Sequence, residues 1–205
     1  MTRIIRSLVL GAALLAGACS SGPAPLTAIS QRVDLPRFMG PWYVVASIPI
    51  FLEEGAHNAV ESYHLGSDGV IETTYRFNQD AFDGPEKVFH PKGFVTDPAT
   101  NAVWGMQFVW PFKATYLVIY LDEQYRHTVI GVPSRRWVWL MSRTPDVADG
   151  DFRQIVLFDF GEPRVDVPAS GQDDLFLKAA AAAVADVGFR ILGRSTVGSR
   201  RSAVL

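Results

Sequence analysis

The chain has 205 residues, enough for one domain with a full core and a short appendage, and too few to suggest two domains. Hydrophobic residues make up 48% and aromatics 12%, which excludes disorder over most of the length. With 19 basic against 21 acidic side chains, there is no electrostatic surface shaped for nucleic acid.

The first eighteen residues differ from the rest. Arg3 and Arg6 precede an apolar run from Leu8 to Ala16, which ends in small residues. This is the pattern of an export signal, residues 1–18, and the run is too short for a permanent membrane span. Cys19, the one cysteine, closes the segment Ala16-Gly17-Ala18-Cys19, which resembles a bacterial lipobox. That resemblance implies a diacylglyceryl thioether on Cys19, and a second fatty chain such as palmitate would make the anchoring stable. It also implies the outer membrane, facing the periplasm, since Ser20 rather than an aspartate follows. Ala16 stands where the pattern usually has leucine, so ordinary secretory cleavage is the alternative. Residues 19–34 read as a tether, flexible over the Pro-, Ala-, Gly- and Ser-rich stretch Ser20 to Ser30. With Cys19 consumed, no thiol remains for a disulfide or for catalysis.

From Trp42 to Arg143, short β-branched and aromatic runs alternate with turn residues, the rhythm of a strand meander. Eight strands are predicted: Trp42 to Pro49, Ala59 to Leu65, Val70 to Phe77, Lys87 to Val95, Ala102 to Phe108, Thr115 to Leu121, His127 to Val132 and Trp137 to Ser142. Gly66-Ser67-Asp68-Gly69 and Thr96-Asp97-Pro98 set the turns. Eight such strands lose their edges by closing into a barrel that encloses about one small ligand; a sandwich is the rival. Beyond Arg143 the pattern predicts a hairpin, Phe152 to Phe160 with Arg164 to Val167, inside an insertion at about 150–170. A helix at 172–187 follows, capped by Ser170 and Asp173, with an apolar stripe of Phe176, Ala180, Ala183, Val184 and Val187 ended by Gly188. Residues 193–205 read as a tail.

Three separated motifs carry a family resemblance. They are Gly40-Pro41-Trp42-Tyr43, the turn Leu121-Asp122-Glu123-Gln124-Tyr125-Arg126-His127, and Arg143 within Met141-Ser142-Arg143-Thr144-Pro145. In this order they resemble the lipocalins, with Leu121 departing from the family's threonine. The wording around Tyr125-Arg126-His127 and Trp139-Leu140-Met141 is similar to the bacterial outer-membrane branch and its apolipoprotein D relatives. The resemblance implies an all-β fold over 35–192: an eight-stranded up-and-down antiparallel barrel with the C-terminal α-helix packed on its outside. It also implies that Gly40, Trp42, Asp122, Tyr125 and Arg143 converge on a closed end, with Arg143 over the Trp42 indole.

Ligand would then enter at the other end, where the loops carry Ile50, Phe51, Leu52, Phe82, Trp110 and Phe112. Of these, Phe51, Trp110 and Phe112 are candidates for a binding mouth or a lid. The family register turns Glu61, Tyr63, Leu65, Tyr116, Val118, Tyr120, Trp137, Trp139 and Met141 inward, an aromatic lining with a few hydroxyls that suits an acyl chain with one polar end. Each of these also reads as plain core. Glu61 stands out, because an inward carboxylate needs a partner or a proton. It is expected to meet a polar ligand head, an internal Arg or an internal Tyr, while a register slip of one would expose it.

The leading expectation is a non-enzymatic carrier of lipids or other small hydrophobic molecules, such as a fatty acid or lysophospholipid, in the bacterial envelope. It needs no cofactor, metal or nucleic acid. His57, His64, His90 and His127 show neither metal-ligand spacing nor a triad pattern, so an enzyme acting on a bound lipid is the weaker alternative. An envelope interaction module is the third reading, in which the 150–170 insertion covers the barrel or makes a homodimer contact; an edge strand packed on its own barrel is the plainer reading of that segment.

Overall fold

A computed structural model describes residues 24–145 and 147, with the short strand at 190–191. The strands are β1 (Gly40–Ile48), β2 (Ala56–Leu65), β3 (Ile71–Gln79), β4 (Glu86–Phe89), β5 (Lys92–Val95), β6 (Val103–Val109), β7 (Phe112–Leu121), β8 (His127–Gly131), β9 (Val138–Ser142) and β10 (Arg190–Ile191). All pairings are antiparallel, running in order from β1 to β9. β9 returns to pair with β1, so the sheet is a closed barrel and not a sandwich. β4 and β5 are two halves of the strand predicted from Lys87 to Val95. They part at His90 and Pro91, where proline has no N–H for the ladder. Counted that way the barrel has eight strands. β10 adds to β1 at Ala46 and Ser47 and was not foreseen. The predicted hairpin at 152–167, the helix at 172–187 and the insertion lie outside the described residues.

Because the meander alternates direction, the start of β1, the β2–β3 turn and the β7–β8 turn share one end. The loops at 49–55, 80–85, 110–111 and 132–137 share the other. Two apolar clusters follow from period-two alternation. The inner one contains Trp42, Tyr63, Ile71, Tyr75, Phe77, Trp104, Met106, Tyr116, Val118, Ile130, Trp139 and Met141. Each large side chain fully buried there contributes about 1.5–3 kcal/mol. The outer one, on β1, β7, β8 and β9, contains Val45, Ala46, Ile48, Leu117, Ile119, Val129, Val138 and Leu140 together with Leu26.

Leu26 exposes a correction. The tether was expected to be flexible through Ser30, yet from Ala24 onward the chain is strapped along the barrel wall. Leu26 N donates to Pro133 O at 3.0 Å, Ile29 N to Val118 O at 2.9 Å and Val33 N to Thr100 O at 2.7 Å. Leu26 and Val33 are buried, which composition alone did not weigh against the surrounding Pro, Ala and Ser. The strap ends in a one-turn helix, α1 (Leu35–Phe38), begun by Asp34, whose side chain accepts from Arg37 N, and by proline in the first turn.

Candidate functional site

The closed end is a plug built around Phe38 and Trp42. Gly40 adopts φ +92°, a left-handed conformation that glycine reaches without strain, and this brings Pro41 and Trp42 under α1. Trp42 Nε1 donates to Phe38 O at 2.9 Å, and the Phe38 ring packs on Trp42, Tyr63 and Trp104. Arg143 lies 3.7 Å over the Trp42 ring. Its fork donates to Pro41 O, Arg37 O and Phe38 O, and its Nε to Tyr125 O. Asp122 holds the β7–β8 turn by accepting from Arg126 N and His127 N, each at 2.6 Å. That turn places Tyr125 at φ +59°, and its hydroxyl accepts from Asp34 N at 2.9 Å. The structure thus brings these five residues together at the plug.

Above the plug the barrel interior carries a belt of polar groups. Strand register locates them, because directly paired residues share a face. Glu61 stands opposite Trp42 on β1 and opposite Tyr75 on β3; Thr73 stands opposite Tyr63; Ser47 stands opposite Trp139. Trp42, Tyr63, Tyr75 and Trp139 all belong to the inner cluster, so Glu61, Thr73 and Ser47 face inward too. The slip that would have exposed Glu61 does not occur.

Glu61 finds an internal tyrosine: the hydroxyl of Tyr116 donates to its Oε2 at 3.4 Å and is itself hydrogen-bonded to the hydroxyl of Tyr63. A second carboxyl joins it. Glu53, from the 3-10 turn Phe51–Glu53 at the mouth, turns back into the barrel and accepts from Trp139 Nε1 at 2.9 Å and from Ile50 N at 3.0 Å. Burial pushes Glu61 up to about 8, with the charge of Glu53 adding to the rise and the Tyr63 and Tyr116 hydroxyls opposing it. Burial likewise raises Glu53 to about 7 against the hydrogen bonds from Trp139 and Ile50. The phenols of Tyr63, Tyr75 and Tyr116 are raised by burial and by these carboxyls. Two buried hydroxyls in the belt, Ser47 Oγ and Thr73 Oγ1, have no hydrogen-bond partner among the described residues, while the Tyr75 hydroxyl lies close enough to Glu53 to help hold its charge. No lysine or arginine among the described residues is buried.

The predicted lining is brought together except at one residue. Tyr63, Tyr116, Val118, Trp139 and Met141 are buried in the inner cluster, with Leu65 and Trp137 packed at its margin. Tyr120 instead lies on the outer cluster. A bulge after Val118 inserts Ile119, so Ile119 and Tyr120 both point outward and the alternation restarts at Leu121. Tyr120 borders an open surface groove of about 530 Å³ between the strap and β7. Several inner residues escaped the sequence analysis, Ser47, Thr73, Tyr75, Glu53 and Trp104 among them. Glu53 sits in a loop where period-two alternation has no say, although a capping carboxylate three residues after Ile50 was a usable signal. Trp104, stacked on Tyr116 at 5.6 Å, sits on a predicted strand whose facing was not assigned.

The mouth residues divide. Ile50 is buried and Leu52 packs on the inner cluster, while Phe51 and Trp110 are each 81% exposed and Phe112 76%. Among the described residues no group of three His, Cys, Asp or Glu is placed to hold a metal, and no helix is long and apolar enough to cross a membrane.

A family model described as a lipocalin-like domain matches residues 33–157. The chain belongs to the lipocalin family. This lipocalin is similar to "Outer membrane lipoprotein Blc" of Escherichia coli (strain K12), 33% identical over 140 residues that cover 67% of this chain and 78% of that protein. The protein of the same name from Citrobacter freundii is 34% identical over 142 residues, covering 67% and 78%. "Temperature-induced lipocalin-1" of Arabidopsis thaliana is 29% identical over 137 residues, covering 62% and 72%.

Proposed function

We propose that this lipocalin is a non-enzymatic carrier of a small amphiphilic lipid, held at the bacterial outer membrane by an acyl anchor on Cys19. The observation that carries the reading is the inner belt: two buried carboxyls and two unpartnered buried hydroxyls, surrounded by aromatic rings, inside a barrel plugged at one end. Buried polar groups are normally paired, so a row of unpaired ones facing inward is chemistry suited to a polar ligand head, with the apolar body directed towards the mouth. Glu61, Tyr63, Tyr116, Val118, Trp137, Trp139 and Met141 are the contacts this reading assigns, joined by Glu53, Thr73 and Tyr75. The resemblance of Ala16-Gly17-Ala18-Cys19 to a lipobox and the similarity to outer membrane lipoproteins support the anchor and its membrane.

Native mass spectrometry of protein extracted from membranes tests both parts. Acyl mass on the fragment beginning at Cys19 and a co-purifying lipid are the expected results. No bound species, together with no affinity across a panel of single-chain lipids, would overturn the carrier reading; an unmodified Cys19 would overturn the anchor.

A further inference from the structure

The charge balance of the inner belt narrows the class of ligand. Glu53 and Glu61 are buried close enough to feel each other's charge, and no buried lysine or arginine among the described residues answers them. Arg143, half-buried at the plug, lies on the Trp42 indole with its fork committed to four carbonyls. A carboxylate or phosphate head entering the belt would bring an anion beside two carboxyls that already hold their protons to avoid charge in a dry site, at a cost that no buried cation offsets. A cationic head meets the opposite situation, with two carboxyls as counter-ions. It also meets ring faces: Tyr116 stacks on Trp139 at 6.2 Å, and Tyr75 stands across from Glu61.

We propose that the belt receives the positively charged head of an amphiphile, an amine or quaternary ammonium group on an alkyl chain, with Glu53 and Glu61 as counter-ions beside the rings of Tyr75, Tyr116 and Trp139. This rests on the carrier reading and gives it a sign. A chain-matched set tests it: dodecyltrimethylammonium, dodecanol and dodecanoate, each below its micelle concentration, titrated calorimetrically at pH 7.5 in two buffers of different ionisation enthalpy. The ammonium compound binds at least tenfold tighter than dodecanoate and releases protons as the carboxyls ionise. Glu61→Gln removes most of that preference, read as the ratio of ammonium to dodecanol affinity, and most of the proton release. Dodecanoate binding as tightly as the ammonium, or a preference that survives the Glu53→Gln, Glu61→Gln pair, overturns the assignment. Failure of all three compounds to bind sinks the carrier reading with it.

The chain ahead of the barrel supports a second inference, from different contacts. Ala24 O accepts from Arg135 Nε at 2.7 Å and Leu26 N donates to Pro133 O, so the strap begins at the mouth and runs towards the plug. Only Ser20 to Pro23 separate Ala24 from Cys19, a reach of no more than about 18 Å. At that same end Phe51, Val109, Trp110 and Phe112 are largely exposed. We infer that the mouth faces the phospholipid surface to which Cys19 is anchored, with this apolar rim seated among the headgroups; the anchor is taken from the reading above. The acylated protein is reconstituted into phosphatidylethanolamine–phosphatidylglycerol vesicles carrying brominated acyl chains. Bromine quenches a component of the tryptophan emission that Trp110→Phe removes, and Phe51→Ser with Phe112→Ser slows lipid transfer from vesicles without weakening binding of dispersed lipid. Trp110 emission left unquenched overturns the orientation. An unacylated Cys19 seen by mass would fault the anchor alone, and the same quenching with soluble protein would then decide the rim.

Discussion

The Arg143 guanidinium lies 3.7 Å from the centre of the Trp42 ring while donating to four backbone carbonyls contributed by α1, β1 and the β7–β8 turn. One side chain thereby ties together three separate stretches of sequence at the plug. Lysine keeps the charge but has no planar fork, so Arg143→Lys is expected to cost about 1–3 kcal/mol and Arg143→Ala somewhat more. Urea denaturation measures this, and a loss below about 0.5 kcal/mol for the alanine variant would show that the clamp adds little.

The belt makes stability depend on pH in a definite direction. Glu53 and Glu61 are raised in the folded protein to about 7 and about 8 from an ordinary value of 4.5. The folded state therefore holds these protons more tightly than the unfolded chain. Their contribution is fully present below about pH 4.5, and it is lost as pH rises towards 8, at up to about 1.4 kcal/mol per pH unit for each group. Other groups on the inner face, Tyr63, Tyr75 and Tyr116, stay protonated throughout this window. Thermal unfolding of ligand-free protein between pH 5 and 9 should fall along that slope, and Glu61→Gln should flatten it and be the more stable form at pH 9. A profile that rises from pH 6 to 8 contradicts the assignment.

Facing distinguishes two tyrosines four residues apart. Tyr116→Phe removes a hydroxyl hydrogen-bonded to Glu61 and Tyr63, and should shift the affinity of an alkyl ammonium ligand by about threefold to tenfold. Tyr120→Phe, on the outer cluster, should leave it unchanged. Fluorescence titration of both variants decides, and equal effects would disprove the bulge-shifted register.

Leu26 packs into the outer cluster rather than trailing in solvent. Leu26→Ala should therefore cost about 2 kcal/mol, whereas a residue in a free tether would cost nothing measurable. The unfolding midpoint in denaturant reads this directly.

The barrel was legible because turn residues and period-two runs mark strands locally, and because the three motifs sit at strand ends that a meander must bring to one side. What escaped depends on single-residue insertions and on loops. The bulge at Ile119 leaves no trace in composition, so a strict alternation carried Tyr120 inward with Tyr116 and Val118. Glu53 is decided by a 3-10 turn that folds the loop back on itself, and β10 by a long-range pairing with β1. Leu26 shows the limit of composition: one apolar side chain among prolines and serines docks because the wall beside it offers Leu117, Ile119 and Val129.

The strap also settles where this protein tolerates shortening. It is hydrogen-bonded at the height of Pro133, again at Val118 and again at Thr100, so it covers the wall from one rim to the other. A soluble form made for biochemistry must retain everything from Ala24 onward; cutting at Asp34, where the first helix begins, would strip Leu26 from the outer cluster and bare an apolar strip on β7 and β8. Such a chain would keep every residue of the inner belt and still aggregate, a failure with its origin in the lost strap.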